Sequence, residues 1–161
     1  MMANQAVNPS GAFDKAPMKQ SSDEIKQKIF CEMAAAIEVD DWEASCDLVC
    51  LTQAIHDPEV RADVLNRLLV MPGHKHHQAV TMEIQQLRSP LSVPYIRQVL
   101  AEGFQMFQYT CSEVGVIAKW FSHALASINT VESIALIQEY AHSSNPEIAE
   151  EMAYRLTRLS S

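Results

Sequence analysis

The chain has 161 residues, 48% of them apolar, with only 4 glycines and a formal net charge of −8 from 12 Lys+Arg against 20 Asp+Glu. That length suits one domain around a single core, and frequent Leu, Ala, Ile, Glu and Gln with scarce glycine argue for helices and against an all-β fold. The acidic balance argues against binding to nucleic acid or to an anionic membrane, both of which require a positive field, and it suits a basic partner.

Residues 1–21 are polar, contain Pro9, Gly11 and Pro17 and show no period, so they read as a disordered arm ahead of a helical domain over 22–161. They lack the basic-then-apolar pattern of a signal peptide. No apolar run approaches the ~20 residues that span a bilayer, so the expected compartment is the cytoplasm. Ile25, Ile29, Met33 and Ile37 then mark one helical face, with Ser21 or Ser22 as cap and Asp23 and Glu24 in the first turn. Asp40 or Asp41 caps a second helix whose inward face is expected to carry Trp42, Cys46, Val49, Cys50 and Ile55. Asp57-Pro58 starts a third, with Val60, Val64, Leu65, Leu68 and Leu69 inward, and Pro72-Gly73 stops it.

A fourth helix is expected from about Lys75 to Leu87, with Val80, Ile84 and Leu87 inward, followed by a turn at 88–92. The fifth carries Val93, Ile96, Val99 and Leu100 and ends at Gly103. Residues 104–111 have no clean period and read as a long aromatic connection. Ser112 and Glu113 begin a sixth helix with Val116, Ile117, Trp120, Phe121, Ala124, Leu125 and Ile128 buried. The seventh carries Val131, Ile134, Ala135, Ile137 and Ala141. The last follows Asn145-Pro146 and carries Ile148, Met152, Leu156 and Leu159.

The turns recur. Ile55 is followed by His56-Asp57-Pro58-Glu59-Val60 and Leu87 by Arg88-Ser89-Pro90-Leu91-Ser92-Val93, 32 positions later; Ile128-Asn129-Thr130-Val131 follows after 41. A short hairpin cannot bury its own apolar face, and stacked hairpins bury a continuous one. Over about residues 42–159 the chain resembles the HEAT-repeat family, in which an apolar helix ends in Leu or Ile, a polar turn often holds Asp-Pro, and a second helix begins Val-x-x-hydrophobic. The resemblance implies an all-α fold, a short α-solenoid of stacked antiparallel helical hairpins. The stretch from His77 to Leu125 also resembles small bacterial HEAT-like proteins, some of them similar to immunity proteins of secreted toxins. Others are phycobiliprotein lyases, and fold alone does not separate these roles.

Four groups of residues invite a chemical reading. Three histidines, His74, His76 and His77, lie close together, but without an HExxH pattern or companion carboxylates, and with Lys75 between them; they read as a polar helix start rather than a metal site. The cysteines Cys31, Cys46, Cys50 and Cys111 include no CxxC pair and read as reduced core residues. Glu43 and Asp47 argue against Cys46 and Cys50 as nucleophiles, because nearby negative charge raises a thiol pKa. From Glu32 to Asp63 there are nine acidic residues against Arg61 alone, which equals the charge of the whole chain. Within that stretch Asp40, Asp41, Glu43, Asp47 and Asp57 are candidate contacts to a basic partner, although helix capping accounts equally well for Asp40, Asp41 and Asp57. In the aromatic connection, Phe107 and Tyr109 are candidate partner contacts and Phe104 a core residue.

With so few glycines there is no phosphate-cradling loop, and no nucleophile elbow occurs. No catalytic residue, metal or cofactor is therefore assigned. The expected function is binding of another protein, most specifically as an immunity-type protein that neutralises a basic toxin or effector. The alternatives are an enzyme or chromophore lyase using His77 or Cys111, and a structural subunit of a larger assembly.

Overall fold

The structure, a computed structural model, describes residues 20–161, so the arm expected over 1–21 falls almost wholly outside the described residues. Among the described residues the fold is all-helical. Eight α-helices, α1 (Ser22–Glu38), α2 (Trp42–Leu51), α3 (Pro58–Val70), α4 (His77–Leu87), α5 (Val93–Glu102), α6 (Val114–Ile128), α7 (Val131–Tyr140) and α8 (Pro146–Leu159), are joined by short turns. Three of those turns contain 3-10 segments, at Thr52–Ala54, Pro90–Ser92 and Gln105–Thr110. No helix among the described residues is long and apolar enough to cross a membrane.

Local chemistry sets the boundaries. The Ser21 hydroxyl accepts from the Glu24 N–H while the Glu24 carboxylate accepts from the Ser21 N–H, a reciprocal cap that starts α1. The helix closes with the Asp41 N–H on Ala36 O and the Asp40 N–H on Ile37 O, with Asp40 at φ 52° where glycine is usual. Asp41 alone therefore caps α2, accepting from the Ala44 N–H at 3.0 Å. Asp57 accepts from the N–H groups of Glu59 and Val60, with Pro58 in the first turn where it forfeits no bond. Asn145-Pro146 repeats the device for α8.

α1 packs on α2 and α3; α3 on α4 and α5; α5 on α7; α4 on α6; and α6 on α7 and α8, with α7 also against α8. One apolar core runs through the assembly. Ile29, Met33, Leu65, Leu68, Ile84, Ile96, Phe121 and Leu125 are fully enclosed in it, each worth roughly 1.5–3 kcal/mol of burial.

The expected faces hold well for α3 and α5 and fail in part elsewhere. On α2 the buried residues are Ser45, Leu48 and Val49, whereas Trp42 and Cys50 are exposed and Cys46 is half-buried. Apolar residues surround this helix, and the large aliphatic side chains take the side toward α1. On α7, Val131 and Ala135 face solvent while Ser133, Leu136 and Ile137 are buried. On α6, Val116 is exposed; on α8, Leu159 is exposed and Arg155 lies on the buried stripe. The cysteines are free thiols, with Cys31, Cys50 and Cys111 exposed, which corrects their expected place in the core. Helix α4 starts at His77, two residues later than expected, because the chain from Met71 to His76 is a built turn.

Asp57→Ala should lower the unfolding free energy by about 1 kcal/mol and Asp57→Asn by much less, because asparagine accepts the same N–H groups. Urea denaturation of the two variants checks this; equal losses would show that charge rather than capping is at work.

Candidate functional site

The turn between α3 and α4 combines a proline, which has no N–H to donate, with Gly73 at φ 101°, where a Cβ would meet Ile37 Cγ2 at 2.7 Å. Of the carbonyls ending α3, Leu68 O accepts from the Met71 N–H at 3.3 Å, and two imidazoles add further donors there. His74 Nε2 lies 2.7 Å from Leu68 O and His77 Nε2 lies 2.9 Å from Met71 O. A carbonyl only accepts, so both rings carry their proton on Nε2 and offer Nδ1 as an acceptor. His74 Nδ1 accepts from the His76 N–H at 3.2 Å. His77 Nδ1 accepts from the Tyr109 hydroxyl at 2.9 Å, and that hydroxyl in turn accepts from the His77 N–H at 3.2 Å. The rings of His74 and His77 stack at 3.9 Å.

His76 faces the other way, with Nε2 2.8 Å from Ser45 Oγ and its ring 4.2 Å from that of Trp42. All three histidines are buried. Burial, the largest cause, holds each imidazole below its ordinary pKa, and for His77, with repulsion from His74 added, down to about 3. The cluster expected as a polar helix start is thus an internal bracket of neutral rings tying α2, the end of α3, α4 and the aromatic turn together. Among the described residues no three His, Cys, Asp or Glu side chains are placed to share a metal ion.

The aromatic turn is the 3-10 segment Gln105–Thr110, entered through Phe104 at φ 66° and left through Cys111 at φ 53°. Phe104 and Phe107 are buried against Phe121, and Phe107 also meets His77 edge-on. Phe107 has no exposed surface with which to touch a partner, so its side chain serves the core. Tyr109 is partly exposed, but its hydroxyl belongs to the histidine bracket.

The acidic residues divide into two sets. Asp41 and Asp57 cap helices, and Asp40 pairs with Lys75 at 2.8 Å. Although partly buried, Asp63 is held below its ordinary pKa by Lys26 at 2.6 Å and Arg67 at 3.1 Å. Glu32, Glu43 and Asp47 have no cationic partner among the described residues. Glu43 and Asp47 stand on the exposed side of α2 beside Trp42, Cys46 and Cys50. Glu32 and Asp47, together with Lys28, also border an α1–α2 groove lined by Ala44, Leu48 and Leu51. The Cys46 thiol is pushed up by burial, by Cys50 and by Asp47, which disfavours the thiolate that nucleophilic chemistry needs.

The sequence reading passed over the bracket's partners, Ser45 and Tyr109 Oη, and a buried polar group formed by Ser122, Glu151 and Arg155. Arg155 did leave a signal, since it stands three residues after Met152 on the apolar stripe of α8. Comparison with family models, with curated proteins and with solved structures finds no significant match to this chain.

The histidine bracket makes stability depend on pH in a definite direction. His77 has a folded-state pKa of about 3 against an ordinary value of 6.5, so between those values the unfolded chain binds more protons than the folded one. This contribution is complete above about pH 6.5 and is lost as the pH falls toward 3. Urea unfolding from pH 7 to about 4.5, above the ordinary carboxylate range, should show a falling free energy, and His77→Gln should flatten the slope. A wild-type slope of zero in that window would contradict the assignment.

Proposed function

We propose that this chain acts by binding another protein, and that the outer face of α2 meets a basic surface. The observation that carries this reading is a stripe formed by Trp42, Cys46 and Cys50, bordered by Glu43 and Asp47 and turned away from the core. Solvent-facing tryptophan is a frequent anchor of protein interfaces, and the adjoining carboxylates would steer a cationic partner toward it. Trp42 rests on His76, so the anchor is held in place before a partner arrives.

The pairing of alternate helices, α3–α5–α7 and α4–α6–α8, supports reading the domain as a short stack of HEAT-like hairpins. In that reading α2 belongs to an end hairpin. The specific form we favour is an immunity-type protein that neutralises a basic toxin or effector. Its support is the acidic end and the commitment of the His74 and His77 ring nitrogens to internal bonds, which leaves them no lone pair for a substrate. A subunit of a larger assembly is the second reading, favoured by exposed apolar side chains on both outer helical regions: Val39 and Trp42 at one, Tyr154 and Leu159 at the other.

Affinity capture from the cells that make the protein, at low and high salt, tests the reading. A basic protein should be recovered at low salt and lost as salt rises. The double variant Glu43→Lys/Asp47→Lys should bind it at least about tenfold more weakly, with the helical spectrum unchanged. Undiminished binding by that variant would overturn the α2 assignment.

A further inference from the structure

Between α4 and α6 runs a second groove of about 220 Å³, remote in sequence from the α2 face. Gln78, Met82 and Gln85 line it from α4, and Lys119, Trp120 and His123 from α6. No lining residue is acidic. Lys119 has no carboxylate within ion-pair distance among the described residues, in a chain whose net charge is −8. Met82 is 54% exposed, an unbranched apolar side chain left on the wall of a concave surface.

One lining residue, His123, is held from outside the groove. Arg155 is buried, with Nε 3.1 Å from Ser122 Oγ and Nη2 3.1 Å from Glu151 Oε1. The same Nη2 lies 2.8 Å from His123 Nε2. A guanidinium can only donate, so His123 Nε2 accepts and the ring's proton sits on Nδ1. That Nδ1–H has no protein acceptor among the described residues, although His123 lines the groove. Arg155 thus fixes the tautomer of a ring that lines the groove together with Lys119, Trp120 and Met82.

We propose that the α4–α6 groove binds a carboxylate adjoining an apolar side chain, as carried by an acidic–apolar peptide segment of a partner. The carboxylate accepts from Lys119 Nζ and His123 Nδ1, the apolar side chain packs on Met82 and Trp120, and the amides of Gln78 and Gln85 serve the peptide backbone. The site is opposite in sign to the α2 face and on different helices, so it does not depend on the reading of that face.

The chain has 2 tryptophans, so Trp42→Phe leaves Trp120 as the sole tryptophan reporter in the full chain. Its emission is titrated with a blocked pentapeptide alternating glutamate with leucine and with the lysine–leucine counterpart. The glutamate peptide should give a saturable change. The lysine peptide, and the glutamate peptide on Lys119→Glu, should each bind at least about fivefold more weakly. His123→Ala should weaken it similarly; if that variant loses helicity, the exposed Lys119→Glu change carries the test alone. Glu43→Lys/Asp47→Lys should leave this titration unchanged, which separates it from the α2 site. No saturable change, equal affinity for the two peptides, or indifference to Lys119→Glu would each overturn the proposal.

Discussion

Where α3 gives way to α4, the chain passes through Pro72 and Gly73, and the helix end leaves carbonyls that the backbone satisfies only in part, Leu68 O through the Met71 N–H at 3.3 Å. Nε2–H of His74 and Nε2–H of His77 satisfy Leu68 O and Met71 O, and much of the neighbouring placement follows from these two bonds. Each ring can perform this task only while neutral. A proton on His74 Nδ1 would confront the His76 N–H, and one on His77 Nδ1 would displace the proton that Tyr109 donates. Burial and repulsion from the neighbouring rings keep them neutral and outweigh the bonds to Leu68 O and Met71 O, which by themselves would favour the protonated ring.

The constraint extends outward in two directions. Through Tyr109, His77 draws in the 3-10 turn, whose Phe104 and Phe107 fill the space beside Phe121. Through Ser45 and Trp42, His76 fixes the rotation of α2. That rotation sends Leu48 and Val49 inward and leaves Trp42, Glu43, Asp47 and Cys50 to solvent. A partner-binding surface at this end would therefore be held by internal imidazoles that never touch the partner. At the α4–α6 groove Arg155 acts on His123 in a similar way, fixing a ring tautomer from behind. The two proposed faces differ in sign, with carboxylates on α2 and Lys119 in the groove.

Much of the helical layout was legible in the residues. Asp57-Pro58 and Asn145-Pro146 are strong starts because a capping side chain and a proline agree, and the regular spacing in α3 and α5 leaves one choice of buried face. On α2 and α7 the apolar residues spread around the helix; on α2 Val49 is buried as expected, but periodicity could not choose between Trp42–Cys46–Cys50 and Ser45–Leu48 as its buried companions without knowing what lies opposite. Asp40, Asp41 and Asp57 carried two readings in the sequence, and their internal bonds to Lys75 and to backbone N–H groups account for them; Glu43 and Asp47 are left without such an account. The histidine bracket was the least legible feature. His74, His76 and His77, with Lys75 among them after Pro-Gly, read as a polar helix start, because the acceptors of His74 and His77, Leu68 O and Met71 O, are backbone atoms with no sequence signature, and Tyr109 is 32 residues from His77.

The account rests on neutral, tautomer-fixed imidazoles at the α3–α4 turn, and nitrogen-15 NMR of the histidine rings reads that state directly. His74 and His77 should show protonated Nε2 and bare Nδ1 at neutral pH, with no titration of His77 from pH 7.5 down to about 4.5 and with His74 titrating below its ordinary value. Titration of either ring near its ordinary value of 6.5, or a proton on Nδ1 at neutral pH, would contradict the account.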